Sequence, residues 1–400
     1  MKQKYVVLRG LQAAGPRSGT PAGPNAGPAG AAPAPMPRIA YHLDELDPRE
    51  ARDVERSSGV LAIAPSMPMR LITPVGQPRD ITATPAAGTA TWGVKAVKAD
   101  SSPFTGTGIV VAVLDTGIDA AHAAFAGVSI VERDFTGQGN GDQHGHGTHC
   151  AGTIFGRNVQ NTRIGVAPGV TKALIGKVLG TNGGASDEIV NAIQWAVDQG
   201  AHVISMSLGM DFPGFVDFLV NTEGLSIPVA TTVALEGYRQ NVTLFERLSG
   251  LVTAIGPFGQ PALIVAAAGN ESGRDAAPPF EIACAPPAVA EGLVSVAALG
   301  QVGSTLEVAP FSNTNAIVAA PGVGVTSAKR GGGLVSMSGT SMATPHVAGV
   351  AVLWAEKILS QGPLRATEWM ARLIASGTRD GLKPGVDPND IGSGLVQAPQ

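Results

Sequence analysis

The stretch Ser338-Gly339-Thr340-Ser341-Met342-Ala343-Thr344-Pro345-His346-Val347-Ala348-Gly349 decides how the rest of the chain is read. It predicts a serine at the start of a buried helix. Pro345 suits a first helical turn, where a missing N–H costs nothing. The small residues on either side allow close backbone packing. A hydroxyl at such a place lies beside free backbone N–H groups, which favour developing negative charge. Taken alone, a serine before a helix is an ordinary N-cap.

Two upstream stretches change that reading. Ile109-Val110-Val111-Ala112-Val113-Leu114-Asp115-Thr116-Gly117 is an apolar, β-branched run ending in a carboxylate and a turn. It predicts a buried parallel strand, and sites in open α/β sheets lie at the carboxyl ends of strands. Gly145-His146-Gly147-Thr148-His149-Cys150-Ala151-Gly152-Thr153 surrounds a histidine with small residues that let other groups reach its ring. A lone Asp-Thr-Gly is an ordinary turn, and a lone histidine in such a run is an ordinary core residue.

Together the three stretches resemble the subtilisin-like serine proteases (the subtilases, peptidase family S8) from about Trp92 onward. The chain order Asp, His, Ser is that of subtilisin and differs from chymotrypsin and the α/β-hydrolases. Cys150 after the histidine motif is a proteinase K-like feature. The resemblance implies a three-layer α/β fold, with a mostly parallel central sheet flanked by helices. It makes Ser341 the nucleophile, His146 the general base and then acid, and Asp115 the group that orients the imidazole. His149 and His346 match positions outside this triad.

Leu263-Ile264-Val265-Ala266-Ala267-Ala268-Gly269-Asn270 reads as another buried strand. By the resemblance, Asn270 and the backbone N–H of Ser341 form the oxyanion hole. Ser207, Leu208 and Gly209, after the apolar run Val203–Met206, would pair with substrate backbone, with Gly269 on the opposite pocket wall. The pocket base is expected within Ala283–Pro287, whose small apolar residues favour a large apolar side chain over Lys or Arg.

The composition is globular: 400 residues, 44% hydrophobic and only 14% charged, against about 25% charged typically. A net charge of −4 without a basic cluster argues against nucleic acid. Two cysteines make no disulfide framework. No apolar run suffices for a membrane span, and Arg9 cuts short what begins like a Sec-type signal peptide. This predicts a cytoplasmic protein or one exported by another route, acting as a monomer on polypeptides. No catalytic cofactor is expected. The resemblance allows structural calcium on surface loops, but no ligand set stands out, and Asp134, Asp142 and Asp187 read as solvated loop residues. His144, His146 and His149 lack the HExxH helix of a zinc protease.

The expected division is an N-terminal region over residues 1–85 and a catalytic domain over 86–400. Within the first, 11–37 is a Pro/Gly/Ala-rich linker with no core-forming power. Residues 1–10 and 38–43 predict strands, Asp47–Arg56 a capped helix, and Gly59–Ile72 an extended apolar stretch. This small α+β layout is compatible with the family's inhibitory propeptide, with mature protein starting between about Met69 and Trp92. Ser186–Gln199 reads as a helix, and Val233–Val252 has apolar residues at helical spacing. Phe212–Val220 is expected to border the non-primed subsites. A peptide-binding pseudoprotease would require a broken triad or oxyanion hole, and neither is present in the sequence.

Overall fold

The computed structural model describes residues 2–10, 40–81, 88–255 and 260–400. The expected linker 11–37 and the expected domain boundary at 85/86 lie outside the described residues. Among the described residues, no helix is long and apolar enough to cross a membrane.

The apolar runs form an eight-stranded sheet. Its order is Thr305–Val308, Val294–Val302, Leu263–Ala267, Val203–Met206, Val110–Asp115, Lys172–Lys177 and Ser129–Asp134, with Val318–Pro321 also pairing Val294–Val302. Pairing is parallel except for the hairpin strand Thr305–Val308. Helices His146–Phe155 and Thr340–Leu359 pack on each other and on the sheet, while Ser186–Asp198 and Ile227–Ile255 form the other helical layer. Strands buried by helices on both faces need apolar residues at every position, and Val111–Leu114 and Leu263–Ala267 are buried throughout. Asp115, Ser207–Gly209 and Gly269–Asn270 all follow carboxyl ends of neighbouring strands, so one rim of the sheet collects them.

The N-terminal unit is a three-stranded antiparallel sheet of Ala40–Leu46, Gln3–Arg9 and Val60–Pro65. Its helix Pro48–Glu55 starts at a capping box, in which Asp47 accepts from Glu50 N and the Glu50 carboxylate accepts from Asp47 N. The two-residue strand period divides its side chains. Tyr5, Val7 and Ile63 face this helix through Ala51. Val6, Leu8, Ala62 and Ala64 join the main core. The sheet is seated on helices Ser186–Asp198 and Ile227–Ile255. Asn241, fully buried, donates to Pro65 O at 2.9 Å, Tyr41 bonds Asn191, and Lys4 pairs with Asp187 at 3.1 Å.

Gly59–Ile72 is extended, in two strands that Ser66 and Met67 separate, and Pro68–Leu71 leaves the N-terminal sheet for the rim of the large one. Two expectations need correction. Asp187 is buried, accepting from Ser66 Oγ and Lys4, because the N-terminal sheet covers it. Pro345 lies inside the helix Thr340–Leu359 rather than in its first turn.

Candidate active site

Asp115 ends its strand with the carboxylate buried; Oδ1 accepts from Thr116 N and from His146 Nδ1, each at 2.7 Å. His146 opens its helix after Gly145, whose φ of 98° is readily adopted only by glycine. Gly147 lets this turn sit against the Asp115 turn, since a Cβ there would lie 2.2 Å from Gly117 O. Asp142 locks the two turns together. It is buried, not solvated: Oδ1 accepts from Thr116 Oγ1 (2.9 Å), His144 N (2.9 Å) and Gly145 N (2.7 Å), and Oδ2 from Thr148 N (3.0 Å) and Thr148 Oγ1 (2.6 Å). Lys177, also buried, donates to Gly139 O at 3.0 Å and Gly141 O at 3.2 Å, and bonds Gln143, bracing the same loop. Asp142 reads as solvated in the sequence although most of its partners lie within six residues, because only the folded turn and Thr116 enclose it, and Lys177 escaped the sequence reading because its partners lie in a distant segment.

Ser341 is buried at the second position of its helix. Pro345 cannot bond the Ser341 carbonyl four residues back. That oxygen accepts instead from Ser207 Oγ at 3.2 Å and Cys150 Sγ at 3.4 Å. The lost helical bond thereby ties three segments together behind Ser341. Asn270 Oδ1 accepts from Thr340 N (2.8 Å) and Thr340 Oγ1 (2.9 Å), which turns its amide NH2 into the cleft.

The cleft is filled by the chain itself. Pro68–Leu71 lies antiparallel between Leu208–Met210 and Gly184–Ala185, with Leu208 opposite Leu71 and Gly209 opposite Arg70. Ser341 Oγ donates to Ile72 O at 2.9 Å, and Asn270 Nδ2 donates to Thr73 O at 2.9 Å. Beyond them Val75 N donates to Ser338 O at 2.7 Å, and Arg79–Asp80 pairs with Val335–Ser336. His146 Nε2 is buried and has no hydrogen-bond partner.

Ile72 borders a cavity of about 370 Å³ lined by Gly209, Ala267, Ala268 and Gly269 and by Ala283, Cys284 and Ala285 of the expected base segment. Phe212, Pro213 and Tyr238 line it too, as do Glu271 and Arg70. Only the first turn of helix Phe212–Asn221 reaches the cavity; Leu219 packs with Ala230 and Ala234 instead. Glu271 was missed although it adjoins Asn270, and it brings an acid to a pocket whose base was expected to be small and apolar.

A model of the subtilase family matches residues 106–392. The chain belongs to the subtilase family. Alkaline elastase YaB from Bacillus sp. (strain YaB) is 36% identical over 320 residues, covering 78% of this chain and 69% of its own. Subtilisin DY from Bacillus licheniformis is 35% identical over 320 residues, covering 78% of this chain and 97% of its own. Among solved structures, fervidolysin from Fervidobacterium pennivorans, a keratinolytic enzyme related to subtilisin, shares the fold at a TM-score of 0.65 and 22% identity. That likeness covers 99% of this chain and 60% of fervidolysin. This subtilase is a serine endopeptidase acting on polypeptides.

Electrostatics separate the histidines of this subtilase. Burial opposes a charge on His146, but the Asp115 carboxylate at its Nδ1 outweighs this and holds its pKa well above 6.5. Burial pushes His149 down to about 3 and His346 to about 4. His149 Nε2 lies 3.0 Å from Val325 O, and His346 Nδ1 lies 2.8 Å from Met342 O, so both are core histidines. Burial raises both thiols, Cys284 to about 12, which leaves neither as a ready thiolate. Met342 is fully buried, so oxidant does not reach it while the cleft is filled.

Proposed function

We propose that Asp115, His146 and Ser341 are the catalytic triad, and that the bond between Ile72 and Thr73 is the enzyme's first substrate. The observation that carries this is the hydrogen bond from Ser341 Oγ to Ile72 O, at the end of a strand paired as a peptide substrate would be. In this resting arrangement the hydroxyl proton points to the carbonyl oxygen rather than to His146. A rotation about the Ser341 side chain brings it to the unpartnered His146 Nε2. Ser341 Oγ then attacks the Ile72 carbonyl carbon while His146 takes its proton. Asn270 Nδ2, which must first leave Thr73 O for Ile72 O, and Ser341 N receive the developing oxyanion. His146 returns the proton to the Thr73 nitrogen, and water releases Ile72 from the acyl-enzyme. Asp115 steadies the imidazolium throughout.

On this reading the segment ending at Ile72 is an intramolecular inhibitor, held in the cleft by strand pairing and by its sheet on the two helices. Leu208, Gly209 and Met210 form the substrate edge, Gly269 lines the pocket that Ile72 borders, and Ser207 braces the Ser341 carbonyl. The test is casein hydrolysis by the purified full chain, beside Ser341→Ala and His146→Ala. Each substitution should lower turnover by about 10⁶. A serine-directed phosphonate should label Ser341 once the cleft has emptied. Undiminished hydrolysis by Ser341→Ala would remove the assignment.

A further inference from the structure

The segment in the cleft carries one feature that strand pairing does not require. Arg70, the third residue before the proposed bond, lies opposite Gly209 and forks between two carboxylates. Its Nη1 is 3.0 Å from Asp211 Oδ1, and its Nη2 is 3.1 Å from Glu271 Oε1. Both carboxylates are also held by groups outside the bound segment. Asp211 Oδ1 accepts from Gly214 N at 3.1 Å in capping the helix Phe212–Asn221. Glu271 Oε2 accepts from Asn313 Nδ2 at 2.7 Å, while Asn313 Oδ1 accepts from Glu271 N. Asp211 N also donates to Pro68 O at 3.1 Å, which fixes this carboxylate's height along the bound strand.

From this geometry we infer that Asp211 and Glu271 form an acidic subsite that selects polypeptides with arginine three residues before the cleaved bond. The inference rests on the proposed cleavage register. A planar guanidinium can reach two separated carboxylates at once, whereas an ammonium is a single point charge. Arginine should therefore exceed lysine, and lysine an uncharged residue. All three side chains are partly exposed, so solvent screens the pairs. Two such pairs are expected to favour arginine over glutamine by about fivefold.

The test uses internally quenched peptides reproducing residues 68–75, with Arg, Lys, Gln or Glu at the position of Arg70. They are assayed on the self-cleaved full chain under conditions where it hydrolyses casein. The expected order of kcat/KM is Arg, Lys, Gln, Glu, with an Arg-to-Gln ratio of about five at low ionic strength that shrinks in about 1 M salt. In Asp211→Asn/Glu271→Gln the ratio should fall to about one, read within that enzyme. Peptides cut at the Ile-Thr bond with equal kcat/KM for Arg and Gln would overturn the subsite and leave the cleavage register standing. Failure to cut any peptide at that bond would instead remove the register, and the subsite with it.

Discussion

Met69→Ala, made in a Ser341→Ala background so that the chain stays intact, should loosen the segment in the cleft without disturbing the enzyme beneath it. Met69 is 1% exposed and belongs to the main core. Its backbone pairs with Gly184 on one side and Met210 on the other, and truncation leaves both pairings available. The loss is therefore that of a buried side chain. Methionine-to-alanine changes in cores cost about 2–5 kcal/mol, and a site at the edge of a cleft can partly collapse, so about 3 kcal/mol is expected. Every 1.36 kcal/mol is a factor of ten, so local opening should rise about 10²-fold. Amide hydrogen exchange reads this opening directly. Exchange across residues 69–72 should accelerate by about that factor, while Val110–Asp115, in the central sheet, keeps the parent's rate. Exchange at 69–72 within about threefold of the parent would refute the claim that buried side chains hold the segment. Equal acceleration in the central strand would show that the fold, rather than the docking, had been weakened.

Three other outcomes follow from the site. Asn270→Ala should slow single-turnover self-cleavage by about 10²–10³, a magnitude borrowed from subtilisin's own oxyanion-hole asparagine; a loss below about tenfold would deny the amide this role. Because the base must be neutral and Asp115 holds His146 protonated well above 6.5, the self-cleavage rate should still climb as pH rises past that value; a plateau already reached at pH 6.5 would contradict it. The buried neutral histidines act on stability with the opposite sign. His149, His202 and His346 titrate near 3, 4 and 4 in the folded chain and near 6.5 when unfolded. Their contribution is complete above about 6.5 and is lost as pH falls toward 4, by about 1.4 kcal/mol per pH unit each. His146, protonated across this range when folded, gains stability only until its unfolded ring protonates near 6.5, so between pH 7 and pH 5 it offsets a small part of this loss. Urea midpoints of Ser341→Ala at pH 7 and pH 5 should differ accordingly, and equal midpoints would refute the assignment.

What could be read from the sequence was local. The sheet strands announce themselves because both faces are buried, and Pro48–Glu55 because its capping box lies within four residues. Asp115, His146, Ser341 and Asn270 each sit in a short stretch dense with small residues, and the fold brings all four to one cleft. Most of the unread parts depend on partners far along the chain. Asp142 stands among the glycines of 137–145 and looks solvated until Thr116 and Thr148 close over it. Asp187 is buried by residues 4 and 66. The path of Pro68–Leu71 is decided by Gly184 and Leu208–Met210, not by its own pattern. Pro345 breaks a local rule, and the cost is met by Ser207 and Cys150 at the Ser341 carbonyl. Glu271 was adjacent to a recognised residue, but its meaning depends on Arg70 and Asp211.

The most direct test of the account is the intact mass of the purified wild type beside Ser341→Ala, with the new amino terminus sequenced. The prediction is a wild type cut between Ile72 and Thr73, starting at Thr73, and an uncut Ser341→Ala. A product starting at Pro74 would shift the register to the carbonyl that Asn270 now holds. A Ser341→Ala chain cut as readily as the wild type would contradict self-cleavage altogether.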